Sequence, residues 1–277
     1  MRLFFSRRFF PMCVTQFLGA FNDNLFKNAF ILLLTFSALP TSDSGLFVAI
    51  ASAMFVVPFF LFSAFAGQLA DQMDKARLIR MVKIAELFII LMMGWGFIVN
   101  SIPALMLGIF LLGTHSAFFG PAKYAVLPHY LKPNELLAGN GIIEATTFLA
   151  ILLGTLLSGL IMEVGTNHHY WLWGLLIACA MGGMISSIFL ISAPAASASA
   201  PKLSWNIGML TVNLLAETFR RRRLSRIILA ISWFWLLGAA ILMHLPHYVR
   251  EVLHGEPIVL SLLLTLFSLG IGMGSLL

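Results

Sequence analysis

A chain of 277 residues that is 60% hydrophobic and only 10% charged, with a mean hydropathy of +0.96, cannot cover its own apolar surface in water, which excludes a soluble domain. The formal net charge of +6 does not point to nucleic acid, because the basic residues sit in short connections between apolar stretches, where they report membrane orientation. The expectation is an all-α polytopic membrane protein.

The amino terminus, MRLFFSRRFF, mimics the basic start of a secretory signal, but the apolar run after it is long, polar in its middle and without a small-residue cleavage site, so it reads as a retained first span. That span, Phe10 to Phe36, carries Asn22, Asp23, Asn24, Lys27 and Asn28 near mid-depth. An ionisable group at the centre of a membrane helix costs a few kcal/mol or more, so it faces the bundle interior or a wet cavity and finds a partner. Asp23 and Lys27, four apart, share a helix face with Gln16, and Asn24 and Asn28 form a second pair beside them. An internally neutralised ion pair that only fixes packing is the plainer account. A polar substrate or ion site inside a helical bundle is favoured, because the amides add polarity that a bare ion pair does not need.

At about 20 residues per crossing, spans are expected near Phe10 to Leu39, Gly45 to Ala70, Leu78 to Val99, Pro103 to Gly120, Leu136 to Met162 and Tyr170 to Ile191, then Ser225 to Val249 and Pro257 to Leu277. Cys13 and Cys179 both fall inside apolar stretches and imply neither a disulfide nor a metal site. Ala193 to Pro201, APAASASAP, reads as a linker, and Trp205 to Leu215 followed by Arg220 to Arg223 as a segment lying on the membrane surface, its arginines facing anionic headgroups or simply anchoring it. The expected organisation is a six-helix half over 1–192, a cytoplasmic linker with a basic interfacial segment over 193–224, and two further spans over 225–277. With two spans after six, the chain is expected to be a fragment or a shortened reading frame.

Lys and Arg placement fixes the expected orientation. Arg2, Arg7 and Arg8 precede the first span; Lys75, Arg77, Arg80 and Lys83 follow the second; Lys123 and Lys132 follow the fourth; Lys202, Arg220 to Arg223 and Arg226 lie between the sixth and seventh. The opposite connections, around Thr41 to Ser44, Asn100 to Ile102 and Glu163 to His169, contain no Lys or Arg, and the last has only Arg250. The amino terminus is therefore expected to be cytoplasmic.

Between the second and third spans runs Gly67-Gln68-Leu69-Ala70-Asp71-Gln72-Met73-Asp74-Lys75-Ala76-Arg77. It resembles the loop signature of the major facilitator superfamily, in which the glycine permits close helix packing, the aspartate accepts hydrogen bonds at a cytoplasmic gate and the basic residues answer it. The resemblance implies gating roles for Gly67, Asp71, Lys75 and Arg77, although Asp74 stands where the family usually has glycine. It also implies two six-helix halves with the substrate site between them near the midplane. A narrower resemblance rests on GAFNDNLFKNA at Gly19 to Ala29, GPAKYAVLP at Gly120 to Pro128, NGIIEATTFLAILLGT at Asn140 to Thr155 and ISWFWLLGAA at Ile231 to Ala240. Together these are similar to the lysophospholipid transporter family of bacterial inner membranes. More closely still, they resemble the transporter part of fused proteins that continue into a glycerophospholipid acyltransferase and an acyl-carrier-protein ligase. The family implies inward movement of lysophospholipids, chiefly lysophosphatidylethanolamine, for re-acylation, with the acyltransferase and ligase as partners in trans or fused.

On the fifth span, Asn140, Glu144, Thr147, Ile151, Gly154 and Ser158 follow spacings of 4, 3, 4, 3 and 4 and share one face. Gly154 and Ser158 suit either a small-residue helix contact or a pore lining. Glu144, about two turns inside the span, needs a partner or water and reads as functional. Lys123, just past Gly120-Pro121, is a snorkelling anchor or a phosphate-binding lysine at the inner mouth. Glu86 pairs with Lys83 along one helix face and is not read as a site, and the seven histidines show no zinc-like clustering.

Enzyme motifs are absent: there is no Gly-x-Ser-x-Gly, no phosphate-cradling glycine loop and no His-Glu-x-x-His, and the acyltransferase His-x4-Asp fails even at His129, which has Asn134. No cofactor or metal is expected. The substrate reading gives Asp23 or Glu144 to an ethanolamine ammonium and Lys27 or Lys123 to a phosphate, with Asn24, Asn28 and Asn140 beside them and the acyl chain against Phe55, Phe59, Phe60 and Phe62. The rival readings are a small-molecule or drug antiporter of the same superfamily and a non-transporting membrane anchor for an acyltransferase.

Overall fold

The computed structural model describes residues 3–38, 41–99, 101–163, 168–195 and 204–274. Arg2, Asn100, the outer-loop residues 164–167, the linker from 196 onward with Lys202, and the last three residues of the expected eighth span lie outside the described residues. The chain runs α1 (Phe10–Leu33), a π-helical turn (Leu34–Ala38), α2 (Thr41–Gln72), α3 (Lys75–Ile98), α4 (Ile102–Tyr130), a 3-10 turn (Pro133–Glu135), α5 (Leu136–Met162), α6 (His168–Ile188), α7 (Ile207–Arg220), α8 (Arg222–Glu251) and α9 (Pro257–Gly274). In hydrocarbon every backbone polar group needs an internal partner, which a continuous helix supplies.

Six of the described helices, α2 to α6 and α8, are long and apolar enough to cross a membrane. The apolar stretch described in α9 is shorter. α1 has the length but not the apolarity, because its polar insert depresses the hydropathy of every window through it. It is nevertheless the packing centre: α5 and α6 lie along it and α4 touches it, while α2 packs on α4, and α3 on α4 and α6. The fit depends on small residues at the closest crossings. A Cβ added at Gly154 would stand 2.8 Å from the Phe21 carbonyl oxygen and 3.0 Å from the Leu25 nitrogen, both backbone atoms of α1. Gly154 is thus a helix contact with α1, the first of the two readings the spacing allowed for it, and Ser158 is fully buried.

One expected boundary is wrong. The fourth span was expected to stop at Gly120, but α4 continues through Pro121 and Pro128 to Tyr130. A membrane helix tolerates proline where neighbouring helices re-satisfy the freed carbonyl. Lys123 therefore lies within the helix, 9% exposed, and not in a connection after it.

The core has two main parts. One surrounds Phe26, Phe30, Ile90, Met93 and Ile109; the other, towards the end that carries the basic connections, surrounds Phe9, Met12, Ile79, Leu127 and Tyr130. Beyond the six-helix body, α9 packs on α5, and Leu32, Val249 and Leu260 join α1, α8 and α9. Large apolar side chains such as Phe60, Phe88 and Trp171 point outward, as a lipid-facing surface requires. α7 begins at the N-cap Asn206, whose side chain accepts from the Met209 N–H, and it packs on α2, where Trp205 meets Phe65.

Candidate functional site

The polar insert of α1 is divided among its neighbours by helical geometry. Gln16 donates to Thr147 at 2.7 Å and Asn28 to Thr155 at 2.7 Å, so both act as ties to α5. Asn22, fully buried, donates to Glu86 Oε1 at 3.1 Å and to the Leu176 carbonyl at 3.2 Å, on α3 and α6. Asp23 faces Ser116 of α4 and Lys27 faces Phe55 of α2, Asn24 has its Cβ beside Gly154 of α5, and all three are only part-buried. Asp23 Oδ2 accepts from Ser116 of α4, and Oδ1 has no donor. Lys27 Nζ donates to Asn24 Oδ1 at 3.2 Å and lies 5.4 Å from the centre of the Phe55 ring of α2, while Asn24 donates to the Ala20 carbonyl. The direct Asp23–Lys27 ion pair that their spacing allows does not form. Each has a different hydrogen-bonding partner.

A second polar group lies about two turns, roughly 10 Å, further along α4. Tyr124 donates to Glu144 Oε1 of α5, and the Lys123 ammonium, electrostatically coupled to Glu144, sits 4.5 Å from the Tyr124 ring centre. Glu144 thus has the partner its depth demanded. Asn140 does not join this group through a hydrogen bond; its amide donates to the Leu136 carbonyl one turn back.

Three partners were not visible in the sequence. Ser116 and Tyr124 stand beside other polar residues, Thr114-His115 and Lys123, on an apolar helix whose apolar pattern has no marked face to say where they point. The third, His115, joins the Lys83–Glu86 pair, with its Nε2 3.4 Å from Glu86 Oε2. The pair forms along one face of α3, as the spacing led one to expect, and both side chains are completely buried between α1, α3, α4 and α6. Lys83 lies in a slot where a Cβ at Gly19 would be 3.0 Å from its Nζ, and one at Gly183 2.7 Å from its Cε.

At the basic end, the α2–α3 connection and the start of α3 are clamped to the end of α6 and the residues that follow it. Asp74 is the N-cap of α3, accepting from the Arg77 N–H at 2.8 Å, and it also accepts from Ser192 Oγ and the Ala193 N–H. Partial burial opposes ionisation, but these three hydrogen bonds outweigh it and hold the Asp74 carboxyl below the usual range. Lys75 donates to the Pro194 carbonyl, and Arg80 to the carbonyls of Ser187 and Leu190, closing the carboxyl end of α6. Arg8 meets both oxygens of Glu135 at 2.7 Å. The Lys132 N–H and Arg8 together hold that carboxyl below its ordinary value. Of the residues given gating roles, Lys75 belongs to the clamp, and Asp71 and Arg77 are exposed. A Cβ at Gly67 would meet nothing within 4 Å among the described residues. The acid that forms the clamp is Asp74, the residue that departs from the family pattern.

The Major Facilitator Superfamily model matches residues 12–277. The chain is 30% identical over 234 residues to the lysophospholipid transporter LplT of Escherichia coli O1:K1 / APEC, covering 82% of this chain and 54% of that one. It is 30% identical over 237 residues to LplT of Escherichia coli O6:K15:H31 (strain 536 / UPEC), with the same coverage. The chain thus spans about half the length of these curated relatives. Its fold matches that of the POT family transporter PepTSo with a TM-score of 0.54 at 14% identity, over 97% of this chain and 53% of that one. A polar-centred α1 held among α4, α5 and α6, a loop signature after α2, and a family match over nearly the whole length converge: this multi-pass membrane chain belongs to the Major Facilitator Superfamily of transporters.

Proposed function

We propose that the chain works as the first half, and the beginning of the second, of a transporter that moves lysophospholipids inward across the bacterial cytoplasmic membrane. Lysophosphatidylethanolamine is its chief substrate, and the amino terminus is cytoplasmic. The observation that carries this reading is the separation of Asp23 and Lys27. They sit one turn apart at mid-helix, each bound to a neutral partner instead of to one another. A headgroup bearing an ammonium and a phosphate offers a partner to each, and charge-assisted hydrogen bonds of this kind are the strong ones. The likeness to LplT supports the substrate class.

In this reading Asn24 assists Lys27. Lys123 and Glu144, with Asn140 at the mouth, form a second station nearer the cytoplasm. Asn28 keeps α1 on α5 beneath the site. Asp71 and Arg77, exposed at the basic end, meet the second half when the inner side closes, with Gly67 and Lys75 in the same motif. The division into a half at 1–192, a linker at 193–224 and the start of a second half at 225–277 follows the same logic. The lipid delivered is re-acylated by an acyltransferase and acyl-carrier-protein ligase, in trans or fused. The test is uptake of labelled lysophosphatidylethanolamine into spheroplasts: Asp23→Asn abolishes uptake while the protein remains in the membrane, and normal uptake by that variant overturns the assignment.

A further inference from the structure

Asp23 is the near end of a line of polar groups that leads from the part-buried face of α1 into the sealed interior. Its Oδ2 is bonded to Ser116 Oγ; Ser116 Oγ is 3.5 Å from His115 Nδ1; His115 Nε2 is 3.4 Å from Glu86 Oε2; and Glu86 is paired with Lys83. The imidazole is thus bracketed, one nitrogen towards the hydroxyl and the other towards the carboxylate. Its side chain is 2% exposed and that of Glu86 is 0%. The Ser116–His115 contact is at the long edge of hydrogen-bonding range, and His115 Nε2 and Glu86 Oε2 approach without hydrogen-bond alignment in this resting geometry; contacts of this kind tighten when the working geometry forms.

We propose that Asp23, Ser116, His115 and Glu86 form an internal proton relay that sets the charge of Asp23. The proposal rests on the reading of Asp23 as the acid that meets the substrate's ammonium. The line has two polarities, both with a neutral imidazole. In the first, Asp23 is a carboxylic acid donating to Ser116 Oγ, Ser116 donates to His115 Nδ1, and the His115 Nε2–H donates to the Glu86 carboxylate. In the second, every hydrogen bond is reversed. The Asp23 proton has passed to Ser116, the Ser116 proton to His115 Nδ1, and the Nε2 proton to Glu86. One O–H bond breaks at Asp23 and one forms at Glu86, so one proton moves inward and one negative charge moves outward to Asp23.

An arriving ammonium favours the second polarity, because it needs a carboxylate, and its departure restores the first. Lys83, locked between Gly19 and Gly183, fixes the far end by making the Glu86 carboxylate stable while the site is empty. The other titratable groups around the line are Lys27 on α1 and Cys179 on α6, both electrostatic neighbours of its members. On α2 the only acids, Asp43 and Asp71, are near its ends, and Glu144 of α5 is engaged by Tyr124 and coupled to Lys123 further along α4. A buried ion pair that served packing alone would need neither the imidazole nor the hydroxyl.

The test uses the full-length protein in proteoliposomes and follows lysophosphatidylethanolamine uptake in light and heavy water. Wild type is expected to show uptake that varies little between about pH 6 and pH 8, with a measurable solvent deuterium isotope effect. Ser116→Ala and His115→Gln each sever the line but leave Asp23 in place. Both are expected to lose about tenfold or more in rate at the acidic end, to recover as pH rises because Asp23 must then exchange its proton with bulk water, and to show an isotope effect that departs from the wild-type one. Ser116→Thr, which keeps the hydroxyl, restores both readouts; failure to restore them marks the Ser116→Ala loss as steric and overturns the relay. If Ser116→Ala and His115→Gln keep the wild-type profile and isotope effect while Asp23→Asn abolishes uptake, the relay is overturned and the substrate reading stands. If Asp23→Asn transports normally, both fall.

Discussion

The ammonium of Lys83 lies against the carboxylate of Glu86, three residues on, with both side chains fully buried and glycines of α1 and α6 closing around the lysine. Removing one member leaves an uncompensated charge in the bundle, at a cost of about 3–5 kcal/mol, whereas replacing both by apolar residues of similar volume is far milder. Glu86→Gln or Lys83→Met is therefore expected to collapse the thermal midpoint in detergent, and Lys83→Met with Glu86→Leu to recover most of it. A double variant as unstable as either single one contradicts this account.

Gly154 and Gly67 are both helical glycines with opposite expected behaviour. At Gly154 an added methyl meets the α1 backbone, which has no rotamer to yield, so Gly154→Ala is expected to destabilise by about 1–3 kcal/mol. At Gly67 it meets open space, and Gly67→Ala is expected to be neutral or to stabilise by up to about 1 kcal/mol, as alanine is the better helix former. Denaturation of the two variants side by side checks the contrast.

Asn28 and Lys27 are neighbours with separable roles. Asn28→Ala removes the bond to Thr155 and is expected to lower stability by about 0.5–2 kcal/mol, the range for interhelical hydrogen bonds in membranes. Lys27→Ala, which loses a hydrogen bond within its own helix and the approach to the Phe55 ring of α2, is expected to lower the melting temperature less than Asn28→Ala and to weaken binding of lysophosphatidylethanolamine. Paired melting and binding titrations distinguish them.

Asp74 makes the clamp at the basic end pH-dependent. Its carboxyl is held low in the folded state, so its contribution is complete above the unfolded value of about 3.9 and fades as pH falls below that. Asp74→Asn is expected to melt lower than wild type at neutral pH, with the gap narrowing below about pH 4. Asp71→Asn, at an exposed residue, is expected to melt like wild type throughout.

Much of this was legible in the chain. The apolar runs gave the helices, because a membrane span is specified by length and hydropathy alone. The small residues of the fifth span announced a close neighbour, although spacing could not choose between Gly154 as a contact and Gly154 as a lining. The polar insert of α1 marked the candidate site, since ionisable residues at that depth need a reason. The end of α4 was not legible, because Gly120-Pro121 reads as a stop where a bundle allows a helix to continue.

What remained hidden was which polar groups meet. Asp23 and Lys27 fit each other by spacing, yet Asp23 turns to Ser116 and Lys27 to Asn24; Glu86 and Lys83 pair along their helix as the spacing allows, but spacing did not show that they are sealed among four helices with His115 and Asn22. Local order along one helix fixes which residues share a face. It does not fix what that face touches. The sequence by itself determined a polytopic helical chain and a costly polar centre in its first span, because burial in lipid is a property of single segments. Only the packing of α1 against α3, α4, α5 and α6 decided the partner of each charge, because in a low-dielectric interior a polar atom bonds to the nearest polar atom in space, whatever its distance in the chain.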